Sequence, residues 1–312
     1  IITHQEFSEL LARSLVDPAS RPLRCNLWNF PQLWDCLLEY RQREIDEAAS
    51  DIIETEVTKK VFDELDYGLE ARTFVLIEGL EGVGKTAAAL NWCARHPGQA
   101  VYIRLEAGAD EQTLYRSIAR QVGTSCSYGR KAKEMRARLQ DALQAGQLML
   151  VLDEAHFLWP SSARSERSVP KHVEWVRTAL VDYGVPVALI STPQFFDQAC
   201  KRFLKSGWNS RQVRRRLDRI TQLPETLKAA DAEAVVRWYF PKLDEKRVIQ
   251  LGALALLRIP YLTTMLHVRK RVDFLARREP GKNEAALLDA VLVEMEGELM
   301  AALKTANGGA MH

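Results

Sequence analysis

Cysteine is sparse in this sequence: five residues in 312, at Cys25, Cys36, Cys93, Cys126 and Cys200, none forming a Cys-x-x-Cys pair. That scatter argues against a disulfide framework or a cysteine zinc site and fits a reducing, cytoplasmic (bacterial-type) setting. A long hydrophobic run is lacking as well. The most apolar stretch, 248–268, is interrupted by Arg258 and Pro260, so it reads as buried helices around a turn and not as a membrane span. Charge of one sign is also missing, since 43 Lys and Arg stand against 41 Asp and Glu for a net charge of +2. Any contact with nucleic acid must therefore rest on local clusters. No internal repeat, low-complexity tract or basic-then-apolar signal segment is visible, and His156 and His172 lack metal-ligand spacing.

What remains is an ordinary globular composition, 47% hydrophobic and 27% charged, long enough for about two structural units. Three regions differ in character. Residues 1–50 carry Trp28, Phe30, Trp34 and Leu37 among Pro22 and Pro31. They read as an extension whose aromatic anchors pack on the main domain or on a neighbour. Residues 51–226 alternate short apolar runs with helical patterns, the mark of an α/β domain around a central five-stranded parallel sheet. Strands are expected at 73–78, 100–105, 148–152, 185–190 and 220–223, and helices at 85–96, 111–122 and 132–145. Gly123 and Gly146 are the expected helix ends. Residues 227–312 form a small all-α lid with helices at 232–239, 245–257, 261–278 and 284–304, the last capped by Asn283.

The segment Gly79-Leu80-Glu81-Gly82-Val83-Gly84-Lys85-Thr86 follows the apolar run Phe74-Val75-Leu76-Ile77 and precedes the helix former Ala87-Ala88-Ala89-Leu90. Gly79, Gly82 and Gly84 let the backbone curl so that N–H groups, Val83 among them, point at phosphate oxygens. The helix that begins beyond them aims its N-terminus at the same anion. Lys85 is placed for the β- and γ-phosphates, and the Thr86 hydroxyl for a magnesium ion. Well downstream, the buried run Leu148-Met149-Leu150-Val151-Leu152 ends in Asp153-Glu154-Ala155-His156. Asp153 suits the magnesium shell, directly or through water, and Glu154 suits polarisation of the attacking water. No Asn-Lys-x-Asp or Thr-Lys-x-Asp segment is present, so ATP is the expected nucleotide.

Thr192, after the run Val187-Ala188-Leu189-Ile190, is a polar strand end that would feel the γ-phosphate or orient the water. The run Arg211-Gln212-Val213-Arg214-Arg215-Arg216-Leu217-Asp218-Arg219 reads either as a solvated or phosphate-binding face or as a finger placed on a neighbour's ATP. Two other basic clusters, Arg130-Lys131-Ala132-Lys133 with Arg136 and Arg138, and Arg269-Lys270-Arg271 with Arg277 and Arg278, are solvated faces or phosphate contacts.

Together these motifs resemble the AAA+ ATPases, and among them the transposition target-selection ATPases of the MuB, TnsC and TniB kind. Glu81-Gly82-Val83-Gly84-Lys85-Thr86 is similar to their "PGVGKT-x-AA", Leu150–His156 to their "VDEAD/H" strand, and Arg215–Ile220 to the end of their second region of homology. The lead-in 52–61 looks like the segment these proteins carry before the glycine loop. The resemblance spans 51–266. It implies a P-loop AAA+ domain that binds ATP and Mg2+ through Gly79, Gly82, Val83, Gly84, Lys85, Thr86, Ala87 and Asp153. It further implies Glu154 as catalytic base, Thr192 as sensor, and Arg216, among its neighbours Arg214 and Arg215, as trans finger. Homo-oligomers, as rings or helical filaments, would hold double-stranded DNA without reading sequence, with Arg130, Lys131 and Lys133 as leading contacts. They would deliver that DNA to a transposase, with a targeting protein as a further partner. A Tyr at 261 stands where a lid sensor arginine is expected, with Arg258 nearby. Two other roles stay open: a nucleotide switch acting on a protein partner, and a loader that remodels another protein.

Overall fold

The computed structural model describes residues 42, 52–108, 110–123, 132–146, 148–159, 170–193, 208–225, 227–257 and 261–295. The extension 1–50, apart from Gln42, lies outside them, as do Arg130, Lys131 and Arg258.

The chain enters through helix α1 (Glu56–Glu70), capped by the Thr55 side chain, which accepts from Thr58 N–H at 3.1 Å. Strand β1 (Phe74–Glu78), helix α2 (Lys85–Arg95), β2 (Ala100–Arg104), α3 (Glu111–Gln121), α4 (Ala132–Gly146) and β3 (Met149–Asp153) follow in order. A short 3-10 turn, Ala155–Leu158, leaves β3. Helix α5 (Lys171–Trp175) continues through a π turn, Val176–Leu180, and a 3-10 turn, Val181–Tyr183, before β4 (Val187–Ser191). Helix α6 (Arg211–Arg214) precedes β5 (Leu217–Gln222). The helices α7 (Ala229–Tyr239), α8 (Glu245–Leu257) and α9 (Tyr261–Arg278) follow, and the chain is again helical over 284–295, which we denote α10.

All strand pairings are parallel and run in the order β2-β3-β4-β1-β5. β1, β3 and β4 are buried at every position, as expected of strands covered on both faces. Alternation along β1 divides the core: Phe74 and Leu76 pack with Ile118, Leu139 and Trp175 on one face, while Val75 and Ile77 pack with Val61, Leu65 and Trp92 on the other. A third core, around Val236, Leu251, Val268 and Leu288, belongs to the helical C-terminal region.

The five expected strands are present, with bounds shifted by a few residues. β5 starts at Leu217, three residues before the expected 220, because an edge strand open to solvent carries no apolar run over Leu217-Asp218-Arg219. Gly123 adopts φ +73 just past α3, the expected left-handed cap, whereas Gly146 is the last residue of α4 and ends it at the expected place without a left-handed conformation. Asn283 caps the segment 284–295 as expected, its Oδ1 accepting from Ala286 N–H at 2.8 Å. The turns between 171 and 183 were not expected. Three helix types in succession erase a 3.6-residue period.

Candidate functional site

The loop between β1 and α2 sits at the carboxyl end of the sheet. Gly82 (φ 74) and Gly84 (φ 101) occupy the left-handed region, and Gly84 is the N-cap of α2. Gly79 is glycine for another reason: a Cβ there would stand 2.9 Å from Leu223 Cβ. Val83 is fully buried and its side chain joins the core. Lys85 Nζ donates to the carbonyls of Gly79 and Leu80, both at 2.7 Å. Burial lowers the Lys85 pKa, an effect opposed by the charges of Asp153, Glu154 and Glu81.

Beneath the loop, Asp153 closes β3 and is 2% exposed. Thr86 Oγ1 donates to its Oδ2 at 2.7 Å, and the Glu154 N–H donates to its Oδ1 at 2.8 Å. Glu154 itself adopts φ 56, a left-handed conformation seldom held by a residue with a Cβ. Its carboxylate lies 4.0 Å from Arg104 Nη2 and 3.6 Å from His156 Nδ1. Thr192, buried, follows β4 and faces the same cleft.

That cleft, about 740 Å³, is walled by Gly82, Gly84, Lys85, Thr86, Ala87, Glu154 and Thr192 at its polar end. Its apolar end combines Ile52 and Ile53 of the lead-in with Val235, Trp238, Tyr239 and Leu266 of the helical region. No lid arginine lines it among the described residues. The volume and the mix of one apolar wall with a few convergent polar groups suit a nucleotide-sized ligand. Tyr102, Arg104 and the apolar end went unread in the sequence. The first two reach Asp153 and Glu154 through strand register, with Arg104 opposite Asp153.

The donor set fits magnesium. Among the described residues no group of three or more His, Cys, Asp or Glu could cage a metal ion. A hydroxyl and a single carboxylate 2.7 Å apart, beside a phosphate-type loop, suit an ion that keeps its waters and takes its remaining ligands from phosphate.

Arg216 is not part of this cluster. It stands just before Leu217, which pairs with Phe74 at the start of β1, whereas the loop leaves the other end of β1. Its Nε and Nη2 contact Asp182, and its Nη1 donates to the Gln212 carbonyl at 2.8 Å. Arg215 is exposed beside it. Lys133 is exposed on the first turn of α4, as are Arg136 and Arg138 further along. In the lid cluster, Arg269 pairs with Asp273 and Glu284, and Arg271 lies 3.8 Å from Glu294, so both serve the packing of the helical region.

A parallel sheet in this order, with a glycine loop after the inner strand β1 and a helical C-terminal region, is an α/β P-loop fold. Residues 69–199 match the family model described as AAA domain. The fold resembles that of a Walker-type ATPase of Pyrococcus abyssi, with a TM-score of 0.51 and 14% identity over 83% of this chain and 76% of that one. It also resembles the Orc1 protein of Aeropyrum pernix, solved in complex with DNA, with a TM-score of 0.55 and 19% identity over 78% of this chain and 66% of that one. The likeness to both is one of fold. No curated protein matches the chain.

Proposed function

We propose that this chain is a magnesium-dependent ATPase that assembles on double-stranded DNA, as a ring or helical filament, and delivers that DNA to a transposase. The observation that carries the ATPase reading is the Thr86–Asp153 hydrogen bond of 2.7 Å, with Glu154 the next residue along. In this reading Lys85 exchanges the carbonyls of Gly79 and Leu80 for the β- and γ-phosphates of ATP. The loop amides from Gly82 to Ala87 cradle the same oxygens, and the base enters the apolar end of the cleft. Thr86 and Asp153 hold the magnesium ion, which supplies charge neutralisation on the phosphates. Glu154 orients and deprotonates the attacking water, and Thr192 positions it.

Arg216, at the remote end of β1 and β5, cannot serve its own loop; it acts on the ATP of a neighbouring copy. The site is therefore complete only in a homo-oligomer. Support for DNA comes from the exposed Lys133, Arg136 and Arg138 on α4, directly after Arg130 and Lys131, and from the motif resemblance. Such contacts grip phosphate without reading bases. Retention of random duplex DNA by the purified protein, with and without ATP at rising salt, tests this. ATP-dependent, salt-sensitive retention is expected. Its absence would remove DNA and transposition from the reading and favour a switch or loader that acts on a protein partner.

A further inference from the structure

Asp153 is more heavily engaged than its expected partnership with Thr86 requires. Two hydroxyls, Thr86 Oγ1 and Tyr102 Oη, donate to its Oδ2, each at 2.7 Å. The Glu154 N–H donates to Oδ1 at 2.8 Å. An ionised carboxylate offers about four lone-pair positions. Both on Oδ2 are filled and one on Oδ1 is filled, so a single acceptor position remains. Thr86 can keep donating its hydrogen to Oδ2 while its oxygen ligates a metal ion, so this arrangement survives loading of the site.

We infer that Tyr102 sets the cation preference of the site, by filling the second position on Asp153 Oδ2 and so denying a metal ion a two-oxygen grip on that carboxylate. The inference rests on the magnesium-nucleotide reading above. Mg2+ holds near-octahedral geometry, keeps several waters and needs one carboxylate oxygen, or only that oxygen's hydrogen bond to a bound water. Ca2+ is larger, takes more ligands and accepts bidentate carboxylates. A carboxylate with one open position serves the first ion and penalises the second. Tyr102 reaches this place from the adjacent strand, where Tyr102 pairs with Val151 and Arg104 with Asp153. It touches Asp153 and is absent from the wall of the cleft, so it is a positioning residue.

Tyr102→Phe keeps the ring and removes the hydroxyl. The test titrates Mg2+ and Ca2+ separately into wild type and variant saturated with a fluorescent ADP analogue, and reads fluorescence, so turnover is not involved. Ca2+ is expected to tighten by about three- to tenfold relative to Mg2+, the worth of one hydrogen bond. Affinity for the analogue without divalent ion is expected to stay unchanged. Tyr102→Leu also lacks the hydroxyl and must shift the ratio in the same direction, even where lost packing lowers its melting temperature. An unchanged ratio in both variants, or equal weakening of both ions, overturns the inference. A wild-type protein that binds no analogue would bring down the nucleotide reading itself, a different result from bound analogue with an unmoved ion ratio.

Discussion

Arg216 and Asp182 form a two-pronged ion pair: Nε donates to Oδ1, and Nη2 donates to Oδ2 at 3.3 Å. Asp182 also lies 3.4 Å from Arg177 Nη1, and Glu174 accepts from Arg177 Nη2 at 2.5 Å and from Trp208 Nε1 at 2.9 Å. The guanidinium is thereby held, about one third exposed, at the end of the sheet that the glycine loop does not occupy. Pairs this accessible to solvent are worth about 0–1 kcal/mol, so a triphosphate on a neighbouring copy can compete for Arg216.

Arg216→Ala is therefore expected to retain nucleotide binding and lose turnover by about a thousandfold or more. Mixing it with Glu154→Gln protein should regain part of the activity, because Glu154→Gln subunits lend an intact arginine to the intact base of Arg216→Ala subunits. Steady-state phosphate release from the mixture is the measurement. No recovery in mixtures shown to co-assemble would rule out action between subunits.

Glu154→Gln alone is expected to bind ATP with wild-type affinity and turn it over about a hundred- to ten-thousandfold more slowly. Binding and single-turnover hydrolysis, measured on the same preparation, separate the two effects. Unchanged hydrolysis would take Glu154 out of the catalytic role.

Gly79→Ala should destabilise the fold by about 1–3 kcal/mol through overpacking, seen as a lowered thermal midpoint. The added methyl would meet Leu223 Cβ at 2.9 Å, and that atom persists in alanine. Leu223→Ala is thus expected not to restore the midpoint in the double variant. Full rescue would show that the clash lies with the outer leucine carbons instead.

Acid should destabilise the protein through His172. Burial lowers the pKa of this imidazole, with Glu111 and Asp110 opposing the shift and Lys171 adding to it. The unfolded chain, with the ordinary value of 6.5, takes the proton first. The His172 contribution is present above that value and is lost as pH falls from it through the lowered value of the folded state. His172→Asn should show a smaller drop in thermal midpoint between neutral and mildly acid buffer than wild type. An equal drop would assign the acid sensitivity to other groups.

The parts of the fold legible in the sequence are those that write themselves locally. β1, β3 and β4 are continuous apolar runs because both faces are covered, and the glycine loop needs its residues in fixed succession. What escaped depends on neighbours far along the chain. Leu217, Asp218 and Arg219 open an edge strand, and these first residues look like loop by composition. Tyr102 and Arg104 share a face of β2, and only the pairing of β2 with β3 carries them to Asp153 and Glu154. The apolar end of the cleft joins Ile53 to Trp238 and Leu266, a juxtaposition with no local pattern behind it.

Ile53 lines the cleft and also packs against the core of the helical region, while its neighbour Ile52 packs against the sheet core. The start of α1 is fastened to the same region, with Glu56 N–H donating to Asp231 Oδ2 at 3.1 Å and Lys228 Nζ 2.8 Å from Glu56. Trimming the protein to the span of the family model, which begins at residue 69, would cut away α1 together with these fastenings. It would leave apolar surface uncovered on both sides of the seam and remove one wall of the cleft. The smallest fragment worth expressing for binding work therefore starts ahead of Ile52 and continues through the last helix of the lid.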